Sequence, residues 1–294
     1  MLNSTTKLGR RIMATIAVIA GLLAIIVVPE LAMKVANLVT KNASMAMEML
    51  NRPNIIAAPN LVSIWYPIWS GFSVVAGVIL LLSALPIARG ERRGRSAALG
   101  ALFFLSIFGM YAIWPVTFFA RLMFGEIAIG QMSFFAKELL INPLSIFLIG
   151  IIPFFIILLS QKINLKNKLV EFVLYFSLII ATGLSFMTGH TALRALWSSL
   201  IDKPQIIDKA LAVGTVTNWI AVVIIIIAIP YLTGNIRKGW FLSLVGSSAA
   251  IIGNGILIVG NLDITDYKIA MVLALVAFLL LSLPIVKEKL VENS

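Results

Sequence analysis

Eight stretches of this chain contain no Asp, Glu, Lys, Arg or His, and each is 18 residues or longer. They are Ile12–Pro29, Pro53–Ala88, Ser96–Ala120, Leu139–Gln161, Phe172–Gly189, Ala210–Ile236, Gly239–Leu262 and Ile269–Val286. All are rich in Leu, Ile, Val, Ala and Phe, and about 20 such residues cross the hydrocarbon core as a helix. The pattern specifies an all-α integral membrane protein with eight transmembrane helices. A barrel does not fit, because its strands read as roughly 10-residue alternating segments and these runs are continuously apolar. With 61% hydrophobic and 12% charged residues in 294 positions, spans and short connections take up nearly the whole length.

The first stretch follows Lys7, Arg10 and Arg11, as a signal peptide would. Pro29-Glu30-Leu31-Ala32-Met33 lacks a small-x-small cleavage site, so a retained span is expected. The absence of cysteine removes disulfides, thiolate metal sites and thiol catalysis.

The net charge of +11 is a matter of location. With a cytoplasmic N-terminus, 14 of the 23 Lys and Arg fall on the inner side, against four of the 12 acids. Short inner loops rich in Lys and Arg set membrane orientation. The expectation is a multi-pass protein of the cell (cytoplasmic) membrane with both termini cytoplasmic. No basic patch is interleaved with exposed aromatics, so nucleic acid is not an expected partner. Membrane lipids are, with Arg89, Arg92, Arg93 and Arg95 as anionic-lipid contacts.

Inner connections are tight, whereas three outer ones are long. Leu31, Val35, Leu38, Asn42, Met45 and Met49 recur mostly at helical steps, while Lys34, Lys41 and Glu48 repeat on another face. Segments of about 30–51 and 190–202 therefore read as amphipathic helices on the outer face. Such helices lie flat at the bilayer surface, pack over the bundle, or form a platform for partner subunits. On the platform reading, Lys34, Lys41, Glu48 and Arg194 make the partner contacts. Trp65, Tyr66, Trp69, Trp114 and Tyr267 fall near outer span boundaries, as an interfacial aromatic belt does.

An offset of 144 residues aligns Pro86, Gly90, Arg93 and Gly109 with Pro230, Gly234, Arg237 and Gly253. The match suggests two parallel four-helix repeats, a first half at 1–145 and a second at 146–294, related by an axis along the membrane normal. Positive turns between apolar helices produce similar matches without duplication.

No carboxylate lies at mid-depth in a span, which argues against an ion-coupled pump. No pair of titratable groups suits acid–base work, so no catalytic or metal-binding residue is assigned. His190, the sole histidine, shares a helix face with Arg194, and the pair would suit a quinone or a lipid headgroup, although a solvated interfacial histidine is the simpler and favoured reading. No cofactor is required; a bound lipid or quinone is the candidate. In the seventh span Gly246, Ala250 and Asn254 share one face and Gly253 lies on a neighbouring one, a small-residue pattern suited to tight helix packing. Two functions follow as expectations. One is a non-catalytic integral subunit of a larger membrane complex, of respiratory or electron-transfer type, contacting partner subunits through its extracytoplasmic helices. The alternative is a permease for an uncharged or weakly polar small solute.

Overall fold

The computed structural model describes residues 4, 6–50, 57–124, 134–161, 164–202, 209–260 and 265–291. For 41–50, 57–63, 114–124, 134–140, 194–195, 197–202, 285 and 289–291 the description covers the backbone alone. Among these residues every regular element is a helix: α1 (Lys7–Leu50), α2 (Ala57–Arg89), α3 (Arg92–Phe124), α4 (Phe134–Leu158), α5 (Leu165–Asp202), α6 (Lys209–Thr233), α7 (Arg237–Val259), α8 (Thr265–Ser282) and the short α9 (Pro284–Val291). The first eight are each long and apolar enough to cross a membrane.

Neighbouring helices pack as two rings. In one, α1 packs on α2, α2 on α3, α3 on α4 and α4 back on α1; in the other, α5, α6, α7 and α8 close in the same way. The rings meet where α3 packs on α5 and α6. These two helices are accordingly the most enclosed spans, with 83% of the α3 window and 67% of the α5 window buried, against 28% for α8. One end of the bundle carries the exposed Arg89, Arg92, Arg93, Arg237 and Lys238, and is called the basic end below. The start of α1 and the start of α9 come together there, since Met13 and Val286 share a core cluster with Ile87.

Small residues set the closest crossings. At the α1–α2 crossing, a Cβ built on Gly77 would lie 2.7 Å from the carbonyl oxygen of Gly21, so only glycine lets these backbones meet. The two tight turns at the basic end follow proline. Glu91 N–H donates to Pro86 O at 2.9 Å across Gly90, whose φ of 87° lies in the left-handed region, and Ile236 N–H donates to Tyr231 O at 2.9 Å across Asn235, at φ 55°.

Several expectations change. The segments at 30–51 and 190–202 are not separate helices lying flat. Residues 30–50 and 190–202 continue α1 and α5 without a break, with Pro29 and Gly189 both inside helix. The boundary drawn at 145/146 falls inside α4, so a division between the rings lies after Leu158 instead. The glycines aligned by the 144-residue offset face different neighbours, Gly109 the α4 backbone at Phe147 and Gly253 the α6 side chain of Asn218. Arg95 turns inward rather than toward headgroups. Its guanidinium donates to Leu158 O at 2.9 Å and to Ile157 O at 3.3 Å, satisfying carbonyls that the end of α4 leaves open. Tyr66 and Tyr267, placed in the aromatic belt by their sequence position, are buried.

Candidate ligand site: an aromatic crevice at the seam

The meeting of the two rings is lined with aromatic side chains supplied at helical spacing. Trp65, Trp69 and Phe72 come from one face of α2, Phe104, Phe108 and Tyr111 from one face of α3, and Phe186 and His190 from one face of α5. Trp219 of α6 completes the group. Trp69 is the hub: its ring lies 4.6 Å from Phe186 edge-on and 5.6 Å from Phe104 in a stacked arrangement. Offset and edge-on pairs of this kind are each worth about 0.5–1.5 kcal/mol beyond their area burial, so the seam is held largely by ring contacts.

Beside this cluster two cavities, of about 400 Å³ and about 330 Å³, share Phe72, Phe104 and Ile226 as walls. They form one crevice between α2 and α6 with α3 as its floor. On α2 it runs from Trp65 to Ile79, a rise of about 21 Å at 1.5 Å per residue. That is more than half of a hydrocarbon core of about 30 Å. Its rim is open to the side, since Phe72, Val75 and Val223 are 52%, 55% and 55% exposed and have lipid as their natural environment.

At the end away from the basic face the crevice closes on Trp65, whose ring is edge-on to Trp219 at 5.0 Å and to His190 at 6.3 Å. His190 is buried, and its Nε2 lies 3.5 Å from the Tyr111 hydroxyl. The chain's one imidazole thus sits among Trp65, Tyr111 and Phe186 rather than in solvent. The walls of the crevice are apolar, and behind its Trp65 end, outside the cavity lining, lie the Tyr111 phenol and the His190 imidazole within hydrogen-bond reach of each other. Arg194 follows His190 by one turn of α5, with its side chain outside the described residues. Lys41 and Glu48 lie on the α1 extension with side chains likewise outside them, while Lys34 is exposed and pairs with Glu30 at 2.7 Å.

No protein-family model, curated protein or solved structure matches this chain.

A second polar feature lies across α5, α6 and α7. Thr188 Oγ1 donates to Asn254 Oδ1 at 2.8 Å, and Asn218 Nδ2 donates to Asn254 Oδ1 and to Thr188 Oγ1, both at 3.2 Å. Asn254 Nδ2 in turn donates to Ser185 Oγ at 3.1 Å and to Ala250 O at 2.8 Å. All four side chains are buried, and the network joins three helices. The small residues of α7 permit it. Gly246 leaves room for Ile225, Ala250 is fully buried, and Gly253 lies directly against the Asn218 amide.

Sequence reading assigned Trp65, Tyr66 and Trp69 no binding role and did not connect them with His190. The available signal was their spacing. Aromatics at i, i+4 and i+7 recur on α2 and α3, which is a face, whereas a belt needs only a common depth.

Proposed function

We propose that this chain is a non-catalytic integral subunit of a larger membrane assembly, contacting partner subunits through the extensions of α1 and α5 beyond the bilayer. The observation that carries this reading is the length of α1. Its 44 residues make a rod of about 66 Å, roughly twice the hydrocarbon thickness. The 38 residues of α5 make a second rod of about 57 Å. Ala32, Val35, Ala36 and Val39 bury the beginning of the α1 extension against Tyr66, Tyr111 and Ile146, so it is braced by the bundle rather than by lipid. Braced posts of this kind suit docking, and the charges at Lys34, Lys41, Glu48 and Arg194 supply orientation where individual exposed pairs are worth only about 0–1 kcal/mol. The basic end faces the cytoplasm on this reading. The crevice gives the subunit a place for a quinone or another lipid-soluble ligand, with its polar group near Tyr111 and His190.

Purification of the native protein in mild detergent tests the proposal. Stoichiometric partner subunits are expected, released when Lys34, Lys41, Glu48 and Arg194 are reversed in charge together, with the melting temperature unchanged. Association that survives the reversal would sink the docking assignment.

A permease for an uncharged or weakly polar solute is a second reading, favoured by one observation. Thr182, Thr215, Ser243 and Ser247 bury hydroxyls that have no hydrogen-bond partner within the described structure, on the same three helices as the asparagine network. Solute flux into liposomes containing the purified protein alone would favour it.

A further inference from the structure

At the basic end the chain leaves a cavity that neither the crevice nor the docking posts explain. It measures about 480 Å³ and lies between the last turns of α4 and the first turns of α5, walled by Phe155, Ile156, Leu159, Leu169 and Phe172. These walls are apolar and face outward: Leu169 is 62% exposed and Leu165, at the rim, is 76% exposed. Lys168 also lines the cavity, and Lys166, two residues earlier in the same turn of α5, is exposed outside the lining at the same end of the helix. A lysine in this position lays its methylenes along apolar surface and raises its ammonium to headgroup level.

The nearest acid does not cancel this charge. Glu171 is buried within electrostatic reach of Arg95, toward the α3 side of α5. The first turn of α5 adds partial positive charge of the same sign, organised by the Asn164 side chain, which accepts from Asn167 N–H at 2.8 Å.

We propose that this cavity is a binding site for an anionic glycerophospholipid in the leaflet at the basic end, with acyl chain between Phe155 and Phe172, phosphate at Lys168, and Lys166 adding positive charge at the same headgroup level. Two features select that occupant together. The cavity is too apolar to hold a free anion, and a zwitterionic lipid, with no net charge, would gain less than an anionic one from Lys168 and the neighbouring Lys166. The site is distinct from Arg89, Arg92 and Arg93, which are exposed at the end of α2 and the start of α3 and do not line this cavity.

The test is the thermal stability of the purified protein in detergent, titrated with dioleoyl-phosphatidylglycerol, dioleoyl-phosphatidylcholine or inorganic phosphate. Only a ligand that prefers the folded state raises the melting temperature. Phosphatidylglycerol is expected to raise it in a saturable way, while the other two leave it in place. The double variant Lys166→Gln/Lys168→Gln should melt at the wild-type temperature without lipid and need roughly 30-fold more phosphatidylglycerol, the equivalent of about 1 kcal/mol per lysine near a membrane surface. Leu169→Trp, which fills the cavity and keeps both lysines, should abolish the shift. Substituting Arg89, Arg92 and Arg93 together with Gln should leave it unchanged. An equal shift with phosphatidylcholine, a shift with inorganic phosphate alone, or full phosphatidylglycerol response in the lysine double variant would each overturn the assignment.

Discussion

The Asn218 side chain on α6 donates from Nδ2 to Oδ1 of Asn254 on α7 at 3.2 Å, so two amides meet where three spans converge. Each is fully buried, and Asn254 bonds to Ser185, Thr188 and Asn218. Replacing Asn254 with Ala would take the donor from Ser185 Oγ and leave Thr188 and Asn218 only the bond between them and that of Thr188 to Ser185 O. Individual side-chain hydrogen bonds in membranes are worth about 0.6 kcal/mol on average, whereas an abandoned buried polar group costs about 1–3 kcal/mol. We therefore expect Asn254→Ala to lose about 1–3 kcal/mol in reversible unfolding from mixed micelles. A double-mutant cycle with Asn218→Ala should show coupling of more than about 0.5 kcal/mol; additive losses would dissolve the network into separate contacts.

Gly253 and Gly71 make a matched pair for testing close packing. A side chain at Gly253 would enter the space of the Asn218 amide, while nothing lies within 4 Å of a Cβ at Gly71. Gly253→Leu should cost about 1–3 kcal/mol or prevent folding, as overpacking does, and Gly71→Leu should be close to neutral. Equal stability of the two variants, measured as melting temperature in detergent, would contradict the α6–α7 contact.

Arg95 predicts a different contrast. Its bonds to Ile157 O and Leu158 O are charge-assisted and partly buried, and such bonds are worth about 1.5–3 kcal/mol. Arg95→Ala should destabilise the protein by that order, while Arg92→Ala, at an exposed position, should stay within about 0.5 kcal/mol. Lysine should rescue only part of the loss, since one ammonium does not reproduce the two-nitrogen approach of the guanidinium.

Orientation is tested by labelling. Glu91 and Thr265 are both exposed, Glu91 in the turn between α2 and α3 at the basic end and Thr265 at the start of α8 at the other. Cysteines at these two positions should react with a membrane-impermeant reagent from opposite sides of sealed vesicles, Glu91→Cys only from the cytoplasmic side. Labelling of both from one side would defeat the eight-span topology.

The eight spans were legible because exclusion of charge from hydrocarbon is a local property, readable one window at a time. Other features were not local. Residues 30–51 and 190–202 carried true helical periodicity, but periodicity does not say whether a helix lies across the end of a span or in line with it. The charge-free windows ended at Pro29 and Gly189 only because Glu30 and His190 follow, and both residues sit within continuous helix. Arg95 belonged by sequence to an arginine-rich turn; its inward path depends on where α4 ends, some 60 residues away. The crevice was least legible of all. Trp65, Tyr111, Phe186 and Trp219 come from four helices, and only the meeting of α3 with α5 and α6 gathers them.

The turn between α6 and α7, closed by the Ile236 to Tyr231 hydrogen bond, also bears on how the chain reaches its membrane. Three residues separate the two helices, too few for either to settle in lipid while the other waits outside. They must partition as one unit. Ser243, Ser247 and Asn254 would be costly passengers on a solitary helix, and in the paired hairpin Asn254 already has Asn218 of α6 as a partner. The short turn thus favours insertion of α6 and α7 as a pair, so that Asn218 and Asn254 enter the membrane with each other as partners.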